Sequence, residues 1–252
     1  MFFPLSDDDR HLVKPAIVTW TLLVTNVLVF VFLQLPSEAF TMGWSTIPKE
    51  IATGSDLVGP HSIGGQFMEH AQGPSLIYLT LLSSMFMHGD WMHLGGNLLY
   101  LWIFGDNVEH RFGHVRFLLF YLLSGLCASA LQISLGPESI IPNLGASGAI
   151  SGVLGAYLVL FPRNKVNAIF FFRVISVPAV VVLGMWIALQ IFQGASSFQN
   201  VGESGGVAYG AHIGGFVAGV VFGLLARAMM KEEPGSVLRN QYARDSSGRQ
   251  YW

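Results

Sequence analysis

The chain consists of long apolar runs separated by short polar breaks, and the length of each run limits what it can form. A helix needs about 20 mostly apolar residues to cross a hydrocarbon core roughly 30 Å thick. Five runs free of Asp, Glu, Lys and Arg meet that length: Ala16–Leu35, Phe117–Leu135, Ile140–Phe161, Val174–Gln193 and Val207–Leu225. A sixth, Trp91–Gly105, is shorter and holds His93 and Asn97. The run Ile77–Met87 ahead of it would extend only about 16 Å as a helix. It is expected to lie in the interface or to dip into the fold beside the sixth run. Asp7, Asp8 and Asp9 precede the first run and no small-residue cleavage site follows it, which points to a retained anchor rather than a signal peptide.

Composition turns these runs into membrane spans. The hydrophobic share is 52% and the charged share 11%, against about 25% charged residues in soluble domains. Soluble classes and intrinsic disorder are excluded by these figures. A net charge of −2 with no basic face excludes nucleic acid as a partner. The single cysteine, Cys127, excludes a disulfide framework and a zinc site of paired cysteines. The reading is an all-α polytopic membrane protein with six spans, so both termini lie on one side. Of the 13 Lys and Arg residues, all but Lys49 fall on the tails or on alternate connections. The positive-inside rule then puts both termini in the cytoplasm. The expected organisation is a cytoplasmic tail over residues 1–14, one membrane domain over 15–230, and a polar cytoplasmic tail over 231–252. The long connection 36–90 faces outward.

Polar groups inside spans are costly and default to function. His93 and Asn97 are four apart in the second span and share a helix face. Ser147 lies in the fourth, within Gly145-Ala146-Ser147-Gly148, and His212 in the sixth, within Gly210-Ala211-His212-Ile213-Gly214-Gly215. All three spans enter from the outer side, and the four residues sit within about two turns of entry, so they share a depth. Glycines indicate which helices touch. Gly215, Gly219 and Gly223 stack on the face of His212, while Ser151 and Gly155 follow Ser147 at helical spacing. Small-residue stripes let membrane helices approach closely, which would bring Ser147 within hydrogen-bond reach of His212. Such a pair suits nucleophilic acyl transfer: a serine hydroxyl attacks once a neighbouring base takes its proton, and a neutral imidazole is such a base. The oxyanion that forms needs preorganised donors. The Ser147 backbone N–H, the Asn97 amide and the His93 imidazole are candidates. No carboxylate lies within these spans, so the unit is a dyad.

The motifs His88-x4-His93-x3-Asn97, Gly145-Ala146-Ser147-Gly148 and Ala211-His212-x-Gly214 resemble the signature of the rhomboid family of intramembrane serine proteases. So does Phe104-Gly105-Asp106-Asn107-Val108-Glu109 through Gly113, and the resemblance runs over about residues 15–230. It implies a six-transmembrane-helix bundle with a water-filled cavity open to the outside. The implied reaction is hydrolysis of peptide bonds in or near the transmembrane segments of protein substrates, without metal or cofactor. By motif position Ser147 is the nucleophile, His212 the base, His93 and Asn97 oxyanion donors, and His88 a supporting residue at the cavity. Some family members carry an aromatic residue four after the nucleophile, stacked on the base. Here that position is Ser151, and a hydrogen bond from its hydroxyl is the expected substitute. The tail 231–252 has no counterpart in the signature. The implied setting is a cell membrane, the inner one in a Gram-negative cell, with the lipid bilayer and transmembrane substrates as partners and the oligomeric state left open.

Two rival functions use the same residues. A metal transporter built on His88, His93 and His212 leaves Ser147 unused and has no intramembrane carboxylate to complete its site. A non-catalytic relative that binds membrane proteins is expected to lack the serine or the histidine, and this chain has both. Glu109 and Arg111 read as a cap or ion pair at the cytoplasmic end, Met85, Met87 and Met92 as gap-fillers, and Trp186 as a packing residue. The glycine-rich segment 194–206 is expected to be a mobile cap over the site.

Overall fold

The structure is a computed structural model that describes residues 3–7, 15–63, 66–171, 173–199 and 208–229. The first apolar run folds as α1 (Ile17–Val29), extended by a π-helical stretch over Phe30–Gln34. The second becomes α5 (Trp91–Phe112), and the third α6 (His114–Leu135). The last becomes α9 (Tyr209–Met229). Among the described residues, three helices are long and apolar enough to cross a membrane: Ile17–Gln34, His114–Leu135 and Tyr209–Met229. The 22-residue α5 is as long as α6 but carries Asn97, Asp106 and Glu109 within it.

Those polar residues have structural partners at the far end of α5. The buried carboxylate of Glu109 accepts the Val18 N–H at 2.9 Å, and the Thr19 N–H and hydroxyl at 2.7 Å each. It thereby satisfies first-turn donors of α1 that no intrahelical carbonyl can reach. His114 Nδ1 contacts the same carboxylate at 2.5 Å. Gly105 lets α1 close on α5, since a Cβ there would sit 3.0 Å from the Thr19 methyl. The cytoplasmic motif of the sequence is therefore a clasp between helices, with Glu109 as the cap.

Two spans differ from their expected bounds. The fourth run was expected helical over Ile140–Phe161, but α7 spans Ser147–Leu160. Its 14 residues reach about 21 Å, short of a hydrocarbon core. The chain ahead of it stays extended because Pro142 cannot donate a backbone bond and because loop partners satisfy its other groups. Asn143 exchanges backbone bonds with Thr46 at 2.8 and 3.0 Å, and the Gly145 N–H donates to the Ser84 carbonyl at 2.9 Å. Irregular backbone is tolerated at such depth only when protein groups or a cavity satisfy it. The fifth run was expected over Val174–Gln193, but α8 spans Ala179–Gln199. Residues Arg173–Pro178 form a strand, β5, paired antiparallel with β4 (Lys165–Phe170). β-branched residues favour this pairing, and Pro178 pushes the residue before it out of helical geometry.

The N-terminal segment adds to that hairpin. Strand β1 (Phe3–Ser6) pairs with β4, giving a three-stranded sheet in the order β1-β4-β5. Asp7 accepts from Asn107 Nδ2 at 2.8 Å and from the Tyr157 hydroxyl, so residues 3–7 of the expected tail pack onto α5 and α7. The outward connection folds as α2 (Glu38–Trp44), α3 (Pro48–Thr53), and a hairpin of β2 (Gly59–Ile63) and β3 (Gln66–His70). A helical segment with α4 (Thr80–Ser83) at its centre follows, and it dips into the fold. Met85 is buried there against Gly125 of α6, while Met92 is exposed to solvent or lipid. The core lies between α5, α6 and α7, around Leu101, Phe104, Phe117, Tyr121, Leu154 and Tyr157. The C-terminal tail and residues 200–207 lie outside the described residues.

Candidate active site

The site begins with the approach of α7 to α9. A Cβ on Gly215 would lie 1.9 Å from the Gly148 carbonyl oxygen, and one on Gly219 would lie 1.9 Å from that of Gly152. Only glycine permits backbones this close, and the stripe read along the sequence is the one used. At the outer end of the interface the Ser147 Oγ lies 2.8 Å from His212 Nε2. Ser147 is the first residue of α7, and no side chain caps that end. Its N–H belongs to the first turn, which lacks intrahelical acceptors.

Helix α5 brings His93 and Asn97 to the same cavity, of about 620 Å³, which Ser147, Trp186 and His212 also line. Asp90 caps α5 by accepting the His93 N–H at 2.8 Å. That bond comes first in holding the exposed Asp90 carboxyl below its ordinary range. The Gly89 N–H donates to His93 Nδ1 at 3.2 Å, so the ring proton sits on Nε2, the only other nitrogen. The Nε2 edge packs on Gly145: a Cβ there would be 2.9 Å from His93 Nε2 and 3.4 Å from Ser147 Oγ. Gly145 also has φ +137°, a conformation that favours glycine. Asn97 is buried, and its Nδ2 has no hydrogen-bond partner. His88 does not line the cavity. It is buried, not solvated at the interface, and its ring meets His93 edge-to-face at 5.2 Å. Gln34 grips its backbone with bonds of 2.8 and 3.0 Å.

Ser151 corrects one expectation. Its hydroxyl donates to the Ser147 carbonyl at 2.6 Å, within its own helix, and does not reach the imidazole. The partner of His212 is one that sequence reading missed: Gln190 of α8, whose Oε1 lies 2.7 Å from His212 Nδ1. Trp186, one turn earlier, lies over the imidazole with ring centroids 5.9 Å apart at 38°. A glutamine inside an apolar run was the available signal, with a tryptophan four residues before it on the same face. The expected cap over 194–206 is helical up to Gln199, and the rest of it falls outside the described residues. Among the described residues no three of His, Cys, Asp and Glu gather as a cation site.

The Rhomboid domain family model matches residues 77–229, which include every residue of the cavity named above. This chain belongs to the rhomboid family. It is a multi-pass membrane protein of that family, with a mostly helical fold. Rhomboid protein 1, mitochondrial, of Saccharomyces cerevisiae is 30% identical over 226 residues, covering 86% of this chain and 56% of that protein. Rhomboid protease GluP of Bacillus subtilis is 37% identical over 144 residues, 57% of this chain and 26% of GluP. RHOMBOID-like protein 7 of Arabidopsis thaliana is 26% identical over 245 residues, 87% of this chain and 72% of that protein. The chain thus spans about half the length of the yeast relative and a quarter of the bacterial one.

Proposed function

We propose that this rhomboid-family chain is an intramembrane serine endopeptidase that cleaves peptide bonds in or near the transmembrane segments of protein substrates. The observation that carries the reading is the 2.8 Å contact between Ser147 Oγ and His212 Nε2 on a cavity that also holds a buried, unpartnered Asn97 amide. Ser147 Oγ attacks the scissile carbonyl carbon as His212 Nε2 takes the hydroxyl proton. The carbonyl oxygen becomes an oxyanion, met by the Ser147 N–H, the Asn97 Nδ2 and the His93 Nε2–H. The C–N bond then breaks, and the imidazolium gives its proton to the leaving amine. Water attacks the resulting acyl-enzyme, again losing its proton to His212, and Ser147 is released with the carboxylic acid product. His88 supports His93 through its ring. The membrane domain is residues 15–230, lying in a cell membrane as six spans with both termini cytoplasmic. The one-sided distribution of Lys and Arg supports that orientation.

The test is mass labelling of the purified chain with a serine-reactive fluorophosphonate, beside cleavage of a transmembrane substrate in detergent. Labelling of Ser147, lost in Ser147→Ala and in His212→Ala, is the expected result. The double variant should be little worse than either single one, because residues acting as one unit are strongly non-additive. An unlabelled Ser147 would overturn the reading.

A further inference from the structure

We propose that Gln190 positions the base: its side-chain carbonyl, with the Trp186 ring one turn away, holds His212 in the tautomer and orientation that Ser147 requires. The support comes from α8 instead of α7, and the inference rests on the serine protease reading above.

A neutral imidazole has one donor nitrogen and one acceptor nitrogen. The Gln190 carbonyl oxygen can only accept, so at 2.7 Å from Nδ1 it receives the Nδ1–H. The Nε2 lone pair is then left facing the Ser147 hydroxyl at 2.8 Å. The opposite tautomer would set two acceptors against each other at Nδ1 and leave Nε2 unable to take a proton. Serine hydrolases with a triad give this task to a buried carboxylate. Here the groups facing His212 are Ser147 from α7, Gln190 and Trp186 from α8, Tyr209 from its own helix and His93 from α5. Asp90, which lines the same cavity, is bonded to the His93 backbone. Gln190 is buried, so its bond competes little with water. Trp186 covers one side of the imidazole, and Tyr209 meets it edge-on at 6.4 Å and 86°.

Helix α7 has no room for the task. Ser151, one turn after Ser147, is 1% exposed, and a Cβ on Gly215 would be 3.3 Å from its own. An aromatic ring at 151 would have to enter an interface where backbones nearly touch. Gln190 and Trp186 are four apart on α8, so one helix face presents both the acceptor and the ring. The placement of α8 is therefore coupled to the orientation of the base, although no α8 residue touches substrate in the reaction.

The experiment compares the full chain with Gln190→Leu, Gln190→Met and Gln190→Glu in detergent, reading fluorophosphonate labelling rate, kcat and KM for a transmembrane substrate, and thermal midpoint. A positioned base supplies roughly 10²–10⁴-fold, and disordering it should forfeit about 10–100-fold of that. Leu and Met are expected to fold as wild type, to lose this much in labelling rate and in kcat, and to leave KM unchanged. Glu, whose carboxylate accepts the same Nδ1–H, should recover most of the rate. A residue that only packs would give the reverse order, with Leu and Met tolerated and Glu damaging. Labelling of the Leu and Met variants at the wild-type rate would overturn the positioning role alone. An unlabelled wild-type Ser147 would overturn the serine protease reading as well.

Discussion

Asn97 is the least satisfied polar residue of the cavity, and its cost is the clue to its use. A buried amide donor without a partner is worth about 1–3 kcal/mol of lost stability, a sacrifice that makes sense if the partner is the oxyanion of a reacting substrate. Asn97→Ala is expected to lower kcat by about 10²–10³ with little change in KM, the usual loss for one oxyanion donor. Steady-state cleavage of a transmembrane substrate checks it, and a rise in KM alone would assign Asn97 to substrate binding instead. Glu50, in the outward connection, is a different case. Burial pushes its carboxyl up from 4.5 to about 7, with Asp56 adding to the rise, while the Leu57 N–H bond at 2.9 Å opposes it. The folded state therefore holds a proton that the unfolded state releases between about pH 4.5 and 7, and stability falls across that window as pH rises. Gln at 50 keeps the acceptor for Leu57 and never carries the charge. Glu50→Gln should melt with wild type at pH 4 and above it at pH 8. Equal midpoints at both values would count against a buried, proton-holding Glu50.

The contact between α7 and α9 depends on glycines that other helices do not need. A Cβ on Gly219 would overlap the Gly152 carbonyl oxygen at 1.9 Å, and backbone atoms cannot rotate away. Gly219→Ala should force the helices apart, costing about 1–3 kcal/mol or more as overpacking does. The labelling rate of Ser147 should fall with it, because the Ser147–His212 contact sits on the same interface. Gly184 of α8 has nothing within 4 Å of its built Cβ. Gly184→Ala should keep the labelling rate and gain about 0.5–1 kcal/mol from reduced backbone freedom. Thermal midpoints and labelling rates of the two variants test the contrast, and equal effects would mean that the stripe does not set the approach.

The molecule is tied together at the end opposite the cavity by a contact between its first residues and its middle. Asp7 links the N-terminal strand to Asn107 of α5 and Tyr157 of α7, beside the sheet that connects α7 to α8. Bonds to a charged group are worth about 1.5–3 kcal/mol each way of counting, so Asp7→Ala should lower the thermal midpoint clearly. Tyr157 lies about 15 Å along α7 from Ser147, and the labelling rate should be unchanged. A variant that keeps its midpoint would show that β1 is not a structural tie.

Hydropathy, charge placement and small-residue spacing are local properties of a chain in a bilayer, and they are legible in order along it. The apolar runs, the shared depth of His93, Asn97, Ser147 and His212, and the face on which α9 meets α7 could all be read this way, because water exclusion and helical geometry act on each segment alone. The start of α7 at Ser147 could not. Residues 140–146 are apolar enough for helix, and only the carbonyl of Thr46 and that of Ser84, distant in sequence, give their backbone another set of bonds. The strand at Val174–Pro178 likewise depends on a partner strand that hydropathy does not see. Gln190 is the clearest case: one neutral polar residue in an apolar run carries no periodic signal, and its contact with His212 exists only once α8 and α9 are packed. Local sequence set which segments enter the membrane and which polar groups go with them. Packing between segments far apart in the chain decided where helices begin and what each polar group meets.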